Sequence, residues 1–271
     1  MLKSLKKMIS IKKNLNYNKS IPYHPHYELL NKHLDFEGKN VLEIGCGKGE
    51  LTRFIAEVAG AKFVYGTDYD IEQWGIEAAE GDNWTISTAD ARNLCYEDNS
   101  FDICFSIGVF EHINGLDKAL NEIERVLKPG GKCFAYFEPI WTSIIGHHFN
   151  FWIPEDLYLI PPWGHLFMTP DEMYEHINKY RNVSFSKSAV GWIYESDVIS
   201  RNTRKDYYMY LSQCGMTCVF LSELFRTHRE YKTMNEFYSL DEKNREKLLN
   251  RFSKEDLQIN GFEVVLQKKL W

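Results

Sequence analysis

Six cysteines are present, Cys46, Cys95, Cys104, Cys133, Cys214 and Cys218, but no two stand at CxxC spacing. That absence excludes zinc ribbons and dithiol redox motifs, and the six read as reduced core residues of a cytoplasmic protein that holds no metal. No apolar run approaches the length needed to cross a bilayer. Near the start, lysines interrupt every apolar stretch, which does not fit a signal peptide. A basic surplus is missing too: the net charge is −6, against the habit of dedicated nucleic-acid binders. There is no internal repeat and no low-complexity tract.

The charge that is present is uneven. Lys3, Lys6, Lys7, Lys12, Lys13 and Lys19 all precede the first acid, Glu28, and are interspersed with Leu2, Leu5, Met8, Ile9, Ile11 and Leu15. This stretch has two readings, a solubilising or lightly packed N-terminal helix, which is favoured, or a weak contact with an anionic membrane surface. Residues 1–37 are therefore set apart as a basic segment with a leading helix. Residues 38–271 read as one domain: a binding core (38–140), a cap with a sixth strand (141–260) and a last strand (261–271).

In the core, strands and helices alternate. Val41 to Ile44, Lys62 to Thr67, Trp84 to Thr88, Phe101 to Ile107 and Lys132 to Phe137 are expected as strands. Helices are expected from Leu51 to Val58, from Ile71 to Ala79 and through Leu116, Leu120, Ile123 and Val126. Such alternation demands a parallel sheet with both faces covered. Beyond Glu138 the chain turns aromatic, with Phe149, Phe151, Trp152, Tyr158, Trp163 and Phe167. These read equally as the wall of an acceptor site or as the core of a helical cap. Further on, a helix follows Thr169-Pro170, another runs through Tyr207 and Leu211, and a strand is expected from Met216 to Leu221. A charged helix from Leu240 to Leu257 and a strand from Phe262 to Gln267 complete the pattern.

The most informative stretch is Val41-Leu42-Glu43-Ile44-Gly45-Cys46-Gly47-Lys48-Gly49-Glu50, a strand running through three alternate glycines into a helix. Bare backbone and the unpaired amides of a helix start make a binding turn for a nucleotide-like ligand. Alone it is weak, since dinucleotide turns also use glycines, although they set the third glycine one residue further on. Other pieces follow in order. Asp68-Tyr69 closes the second strand, Asp90-Ala91 follows the third, and Ile107-Gly108-Val109-Phe110-Glu111-His112 follows the fourth. Leu127-Lys128-Pro129-Gly130-Gly131 then opens the fifth.

Together these resemble class I S-adenosylmethionine-dependent methyltransferases of the type 11 group. The resemblance covers about residues 38–140, and more loosely 215–221 and 261–268. It implies an α/β, doubly wound, Rossmann-like sheet of seven mostly parallel strands, the last antiparallel, with helical and aromatic cap insertions. It also implies that S-adenosylmethionine is the cofactor. Glu43, Gly45, Cys46, Gly47 and Gly49 would meet its methionine part, Asp68 its ribose, and Asp90 and the Ala91 backbone its adenine, with Tyr69 and Ile107 also at the cofactor. If the acceptor needs a general base, His147 or His148 is expected first and His112 next, with His165 a further candidate.

The segment after the fourth strand lacks the Asn/Asp-Pro-Pro-aromatic motif that marks amino-methylation of adenine or glutamine in this family. The expected acceptor is therefore a small molecule, a lipid or a glycan precursor, methylated at oxygen or nitrogen. The His-His…Pro-Trp-Gly-His-Leu tract resembles methyltransferases of bacterial surface-glycan pathways. Two rival readings stand beside this one: an NAD-dependent oxidoreductase or epimerase, and a non-catalytic cofactor-binding partner subunit.

Overall fold

Short apolar strands separated by helices with one apolar stripe can bury themselves only as a sheet covered on both sides. The computed structural model, which describes residues 25–149, 159–225 and 233–271, has that arrangement. The lysine-rich stretch, and Phe151, Trp152 and Tyr158, lie outside the described residues.

Helix α1 (Pro25–Leu30) leads into β1 (Asn40–Ile44), and α2 (Glu50–Glu57) carries the chain to β2 (Phe63–Asp68). A 3₁₀ turn (Glu72–Trp74) and a two-residue strand, β3 (Ala79–Glu80), precede β4 (Trp84–Thr88). Then come β5 (Phe101–Ile107), α3 (Leu116–Val126) and β6 (Leu127–Phe137). The cap holds α4 (Gly164–Phe167), α5 (Pro170–Asn178), α6 (Val183–Val190) and α7 (Arg204–Gln213). After β7 (Thr217–Leu224), helices α8 (Thr233–Ser239), α9 (Glu242–Leu249) and α10 (Lys254–Gln258) lead to β8 (Gly261–Gln267).

The eight strands form one sheet in the order β3-β4-β2-β1-β5-β6-β8-β7. β8 runs antiparallel to both of its neighbours, and β3 antiparallel to β4; the remaining pairs are parallel. The seven expected strands are all present, and β3 is the addition. Because the chain winds outward from β1 in both directions, the topological switch point lies between β1 and β5, where sheets of this kind bind ligands at the carboxyl edge.

Alternate residues of each strand face opposite layers. Val41, Val64, Phe105, Phe134 and Val265 pack with Leu51, Phe54 and Ile55 of α2 on one side. Leu42, Cys104, Cys133, Ala135 and Leu266 pack with Leu120 and Ile123 of α3 and Tyr207 of α7 on the other. The cap has a core of its own, in which Trp141, Ile144, Trp163, Met173, Phe237 and Leu257 meet. Phe149 and Trp163, two of the aromatics noted in the sequence, are thus pieces of this cap core.

Two expected elements differ. The helix expected from Ile71 to Ala79 is reduced to the 3₁₀ turn, because Gly75 adopts φ +70° and sends the chain into β3. The long helix from Leu240 to Leu257 is broken in two: Ser253 caps a new start, with its side chain on the Asp256 amide and the Asp256 carboxylate returned to the Ser253 amide. The α6 helix has no counterpart in the sequence reading.

Phe105 is fully buried in the central strand β5. Phe105→Ala is expected to destabilise the fold by about 3–5 kcal/mol, read from the shift of a urea unfolding curve. A loss below about 1 kcal/mol would show that the layer between α2 and the sheet is not packed as described.

Candidate cofactor site at the carboxyl edge of the sheet

The glycine turn is held from three sides. On one, the amides of Gly45 and Cys46 donate to Thr67 O on β2, at 2.7 and 2.9 Å. The Gly47 amide donates to Asp68 Oδ2 at 2.9 Å, and the Gly49 amide to Cys46 O at 2.8 Å. Val109, just beyond β5, closes on Gly45 so tightly that an added Cβ would lie 2.1 Å from its Cγ2. At Gly49 an added Cβ would lie 2.0 Å from Ile86 Cδ1 on β4. Both glycines have positive φ, so a side chain there is barred by backbone strain and by space alike. Gly47 differs: beyond its own neighbours, the single heavy atom of the described residues within 4 Å of its Cβ position is Trp74 Cε2, at 3.9 Å. The turn is therefore open at Gly47 and closed at Gly45 and Gly49.

Behind the turn, Glu43 is buried and accepts a hydrogen bond from the Thr52 hydroxyl of α2. Burial pushes its carboxyl up to about 8, against the bond from Thr52 and with help from Asp68. At neutral pH Glu43 therefore carries a proton and braces the turn against α2. The Cys46 thiol is pushed up as well, chiefly by burial and then by Glu43 and Asp68, so it is not a nucleophile.

Asp68 ends β2 with one carboxylate oxygen on Gly47, and Tyr69 beside it is 69% exposed. Ile107 ends β5 next to these strands. Asp90, after β4, grips its neighbour Arg92 through three side-chain contacts of 2.7–3.1 Å. The Arg92 guanidinium holds the Asp90 carboxyl below its ordinary range. Ala91 lies between them in the chain. The residues expected at the cofactor thus stand along the carboxyl ends of β1, β2, β4 and β5. A cavity of about 370 Å³ opens at the opposite, amino edge, lined in part by His33, Lys39, Asp102, Lys128 and Lys132, and contains none of them.

The histidines gather beyond β5 and β6. The rings of His112 and His148 are 4.8 Å apart, and those of His147 and His165 are 5.2 Å apart. Their partners fix the tautomers, since a carbonyl can only accept. His112 Nδ1 donates to Val198 O at 2.6 Å, which leaves the lone pair on Nε2. His148 Nε2 donates to Pro139 O at 2.6 Å. His147 Nδ1 accepts from the Phe149 amide at 3.1 Å, so in the neutral ring Nε2 bears the hydrogen. Burial lowers all four, His148 to about 3 and His165 to about 4, so they are neutral at physiological pH.

Thr52, Trp74 and Glu111 were not singled out in the sequence. Trp74 had no signal, since its segment read as a helix. Glu111 did, standing before His112 in the run after β5. It is buried, its carboxyl is pushed well up by burial, and its Oε2 has no hydrogen-bond partner. The other unpartnered buried side-chain atoms among the described residues are Thr142 Oγ1, Ser143 Oγ, His147 Nε2 and His165 Nδ1. All five lie in the segments that follow β5 and β6. Among the described residues no three His, Cys, Asp or Glu side chains gather to hold a metal ion.

The state of Glu43 has a sign that can be checked. Unfolded, it ionises near its ordinary 4.5; folded, it keeps its proton to about 8. Its contribution is therefore full below pH 4.5 and is lost as pH rises toward 8, by about 1.4 kcal/mol per unit at most. Relative to wild type, Glu43→Gln should gain stability between pH 5 and pH 8, measured by chemical denaturation. An equal difference at both pH values would mean that Glu43 ionises normally in the folded protein.

Residues 42–135, from β1 to β6, match a family model described as a methyltransferase domain. Over 148 residues the chain is 32% identical to a ubiquinone/menaquinone biosynthesis C-methyltransferase of Bdellovibrio bacteriovorus, an overlap of 52% of this chain and 61% of that protein. Over 126 residues it is 36% identical to a sterol 24-C-methyltransferase of Yarrowia lipolytica, an overlap of 44% and 32%. The chain thus spans between a third and six-tenths of these relatives. An S-adenosylmethionine-dependent methyltransferase of Mesorhizobium loti superposes with a TM-score of 0.54 at 17% identity, over 90% of this chain and 97% of that one, which shows the shared fold. The glycine turn, Asp68, Asp90 and the post-β5 segment stand in order on one sheet edge, within the residues 42–135 that match the type 11 methyltransferase domain model.

Proposed function

We propose that the protein is an S-adenosylmethionine-dependent methyltransferase acting on a small molecule, a lipid or a glycan precursor. One observation carries the reading: the Asp68 carboxylate holds the Gly47 amide at the carboxyl edge, beside the open part of the turn. A carboxylate at the end of β2 accepts hydrogen bonds from ribose hydroxyls, while bare backbone at Gly47 lets the amino-acid part lie flat. The donor set fits the cofactor: Gly45 and Gly49 shape the turn, Gly47 and Cys46 offer backbone, and Glu43 braces it from behind. Tyr69, Ala91 and Ile107 supply apolar walls around the adenosine, and Asp90 an acceptor for its amino group.

The cofactor brings an activated methyl group on a sulfonium. The protein's part is to align the acceptor, exclude water and take a proton where the acceptor has one to lose. His112 is the residue placed for that proton. It follows β5, is half-buried, and keeps its Nε2 lone pair because Nδ1 is committed to Val198 O. His147 is less suited, since its Nδ1 lone pair is engaged by the Phe149 amide. His148 stands behind His112 in ring contact. The unpartnered polar atoms beyond β5 and β6 support an acceptor with a hydrogen-bonding group, because each costs about 1–3 kcal/mol if left unmet.

The relatives' names bring carbon in beside oxygen and nitrogen as the atom methylated, and quinones and sterols as lipid-like examples. We place the cofactor-binding core at 38–140, the acceptor cap at 141–260 and the last strand at 261–271. Among the described residues no helix is long and apolar enough to cross a membrane.

Asp68→Ala is expected to weaken binding of S-adenosylhomocysteine by about 1–3 kcal/mol in calorimetry. Unchanged affinity would remove Asp68 from the site. A labelled-methyl transfer screen over fractionated cell extract then identifies the acceptor, and failure of any fraction to take up label would favour a non-catalytic partner subunit.

A further inference from the structure

Trp74 has no structural task that its surroundings explain. Trp84 donates to Glu57 and lies under Arg53, and Trp163 is buried with its Nε1 on Thr142 O. Trp74 is 41% exposed and, among the described residues, has no hydrogen bond, ring contact or cation contact. Yet the turn that carries it is well fixed. Ile71 is buried against Cys46 and Ile86, the latter the residue that closes on Gly49. Asp70 Oδ1 accepts from the amides of Glu72 and Gln73 at 3.1 and 3.2 Å, and the Gly75 amide donates to Glu72 O at 2.8 Å. The clamp sets the indole over Gly47, at the open part of the glycine turn.

The charge along its own segment has one sign. From Asp68 to Glu80 the chain holds Asp68, Asp70, Glu72, Glu77 and Glu80, and neither lysine nor arginine. An uncommitted indole beside bare backbone, on a carboxylate-rich rim, suits a positively charged group with little hydration of its own. A sulfonium is such a group, and its demethylated thioether is not.

We propose that Trp74 is a cofactor-discriminating residue, whose ring covers the sulfonium end of S-adenosylmethionine and favours the charged donor over its neutral product. The role rests on the reading of the site given above. Its consequence is product release: once the methyl group has left, the indole has no charge to hold. Trp74 thus acts on the ratio of two affinities, and an apolar cover over the adenosine would not change that ratio.

The test is calorimetric titration of the full chain, as wild type, Trp74→Ala and Trp74→Phe, with S-adenosylmethionine and with S-adenosylhomocysteine. Since the ring is half-exposed and unattached, the variants are expected to keep the wild-type melting temperature. Trp74→Ala should weaken S-adenosylmethionine by about tenfold, the scale of a partly desolvated cation–π contact, and S-adenosylhomocysteine by less than about threefold. Trp74→Phe should fall between wild type and Trp74→Ala. Equal losses for the two compounds, or none, would overturn the discriminating role while leaving the methyltransferase reading intact. A wild type that binds neither compound would overturn both.

Discussion

The turn between β1 and α2 exists in its observed shape because three strand ends press on it at once. β2 supplies Thr67 O and the Asp68 carboxylate, β4 supplies Ile86, and the segment after β5 supplies Val109. Asp68, Ile86 and Val109 land on Gly47, Gly49 and Gly45 in turn, and the last two occupy the space where a Cβ would stand. The turn is therefore a product of the sheet order. Only with β1 between β2 and β5, and β4 next along, can these groups converge on one loop. Glu43 adds the fourth side, through Thr52, and does so as a neutral acid.

The cap obeys a different logic. Its apolar residues meet one another in a core apart from the two layers that cover the sheet. Histidines near the sheet edge are tied to backbone carbonyls: His112 to Val198 O, His148 to Pro139 O and His165 to Trp141 O. Each such bond fixes which ring nitrogen bears the hydrogen, and burial keeps the rings uncharged. With His147, these histidines are thus polar but uncharged groups at neutral pH.

Much of the core was legible in the sequence because its signals are local. Alternating apolar runs marked the strands, and the glycine spacing with Glu43, Asp68 and Asp90 marked the edge at which they meet. The segment from Ile71 to Ala79 was misread as a helix because its periodicity was real while the conformation of Gly75 was invisible. Trp74 was lost with it, since its value depends on what lies across from Gly47 in space. The histidines were found as residues, but their tautomers depend on carbonyls up to 86 residues away, such as Val198 O for His112. In the cap, α6 escaped notice, and the split between α9 and α10 turns on one serine.

Helices α5, α7 and α10 each begin with a reciprocal capping box, Thr169 with Glu172, Thr203 with Asp206 and Ser253 with Asp256. Each box is written within four consecutive residues, so those helix starts do not depend on the sheet for their position along the chain. Changes to the apolar side chains of the cap can then accumulate without moving the glycine turn, whose neighbours all come from the core. The two parts of the chain are free to diverge at different rates, the core held by the contacts on its glycine turn and the cap by its own apolar core.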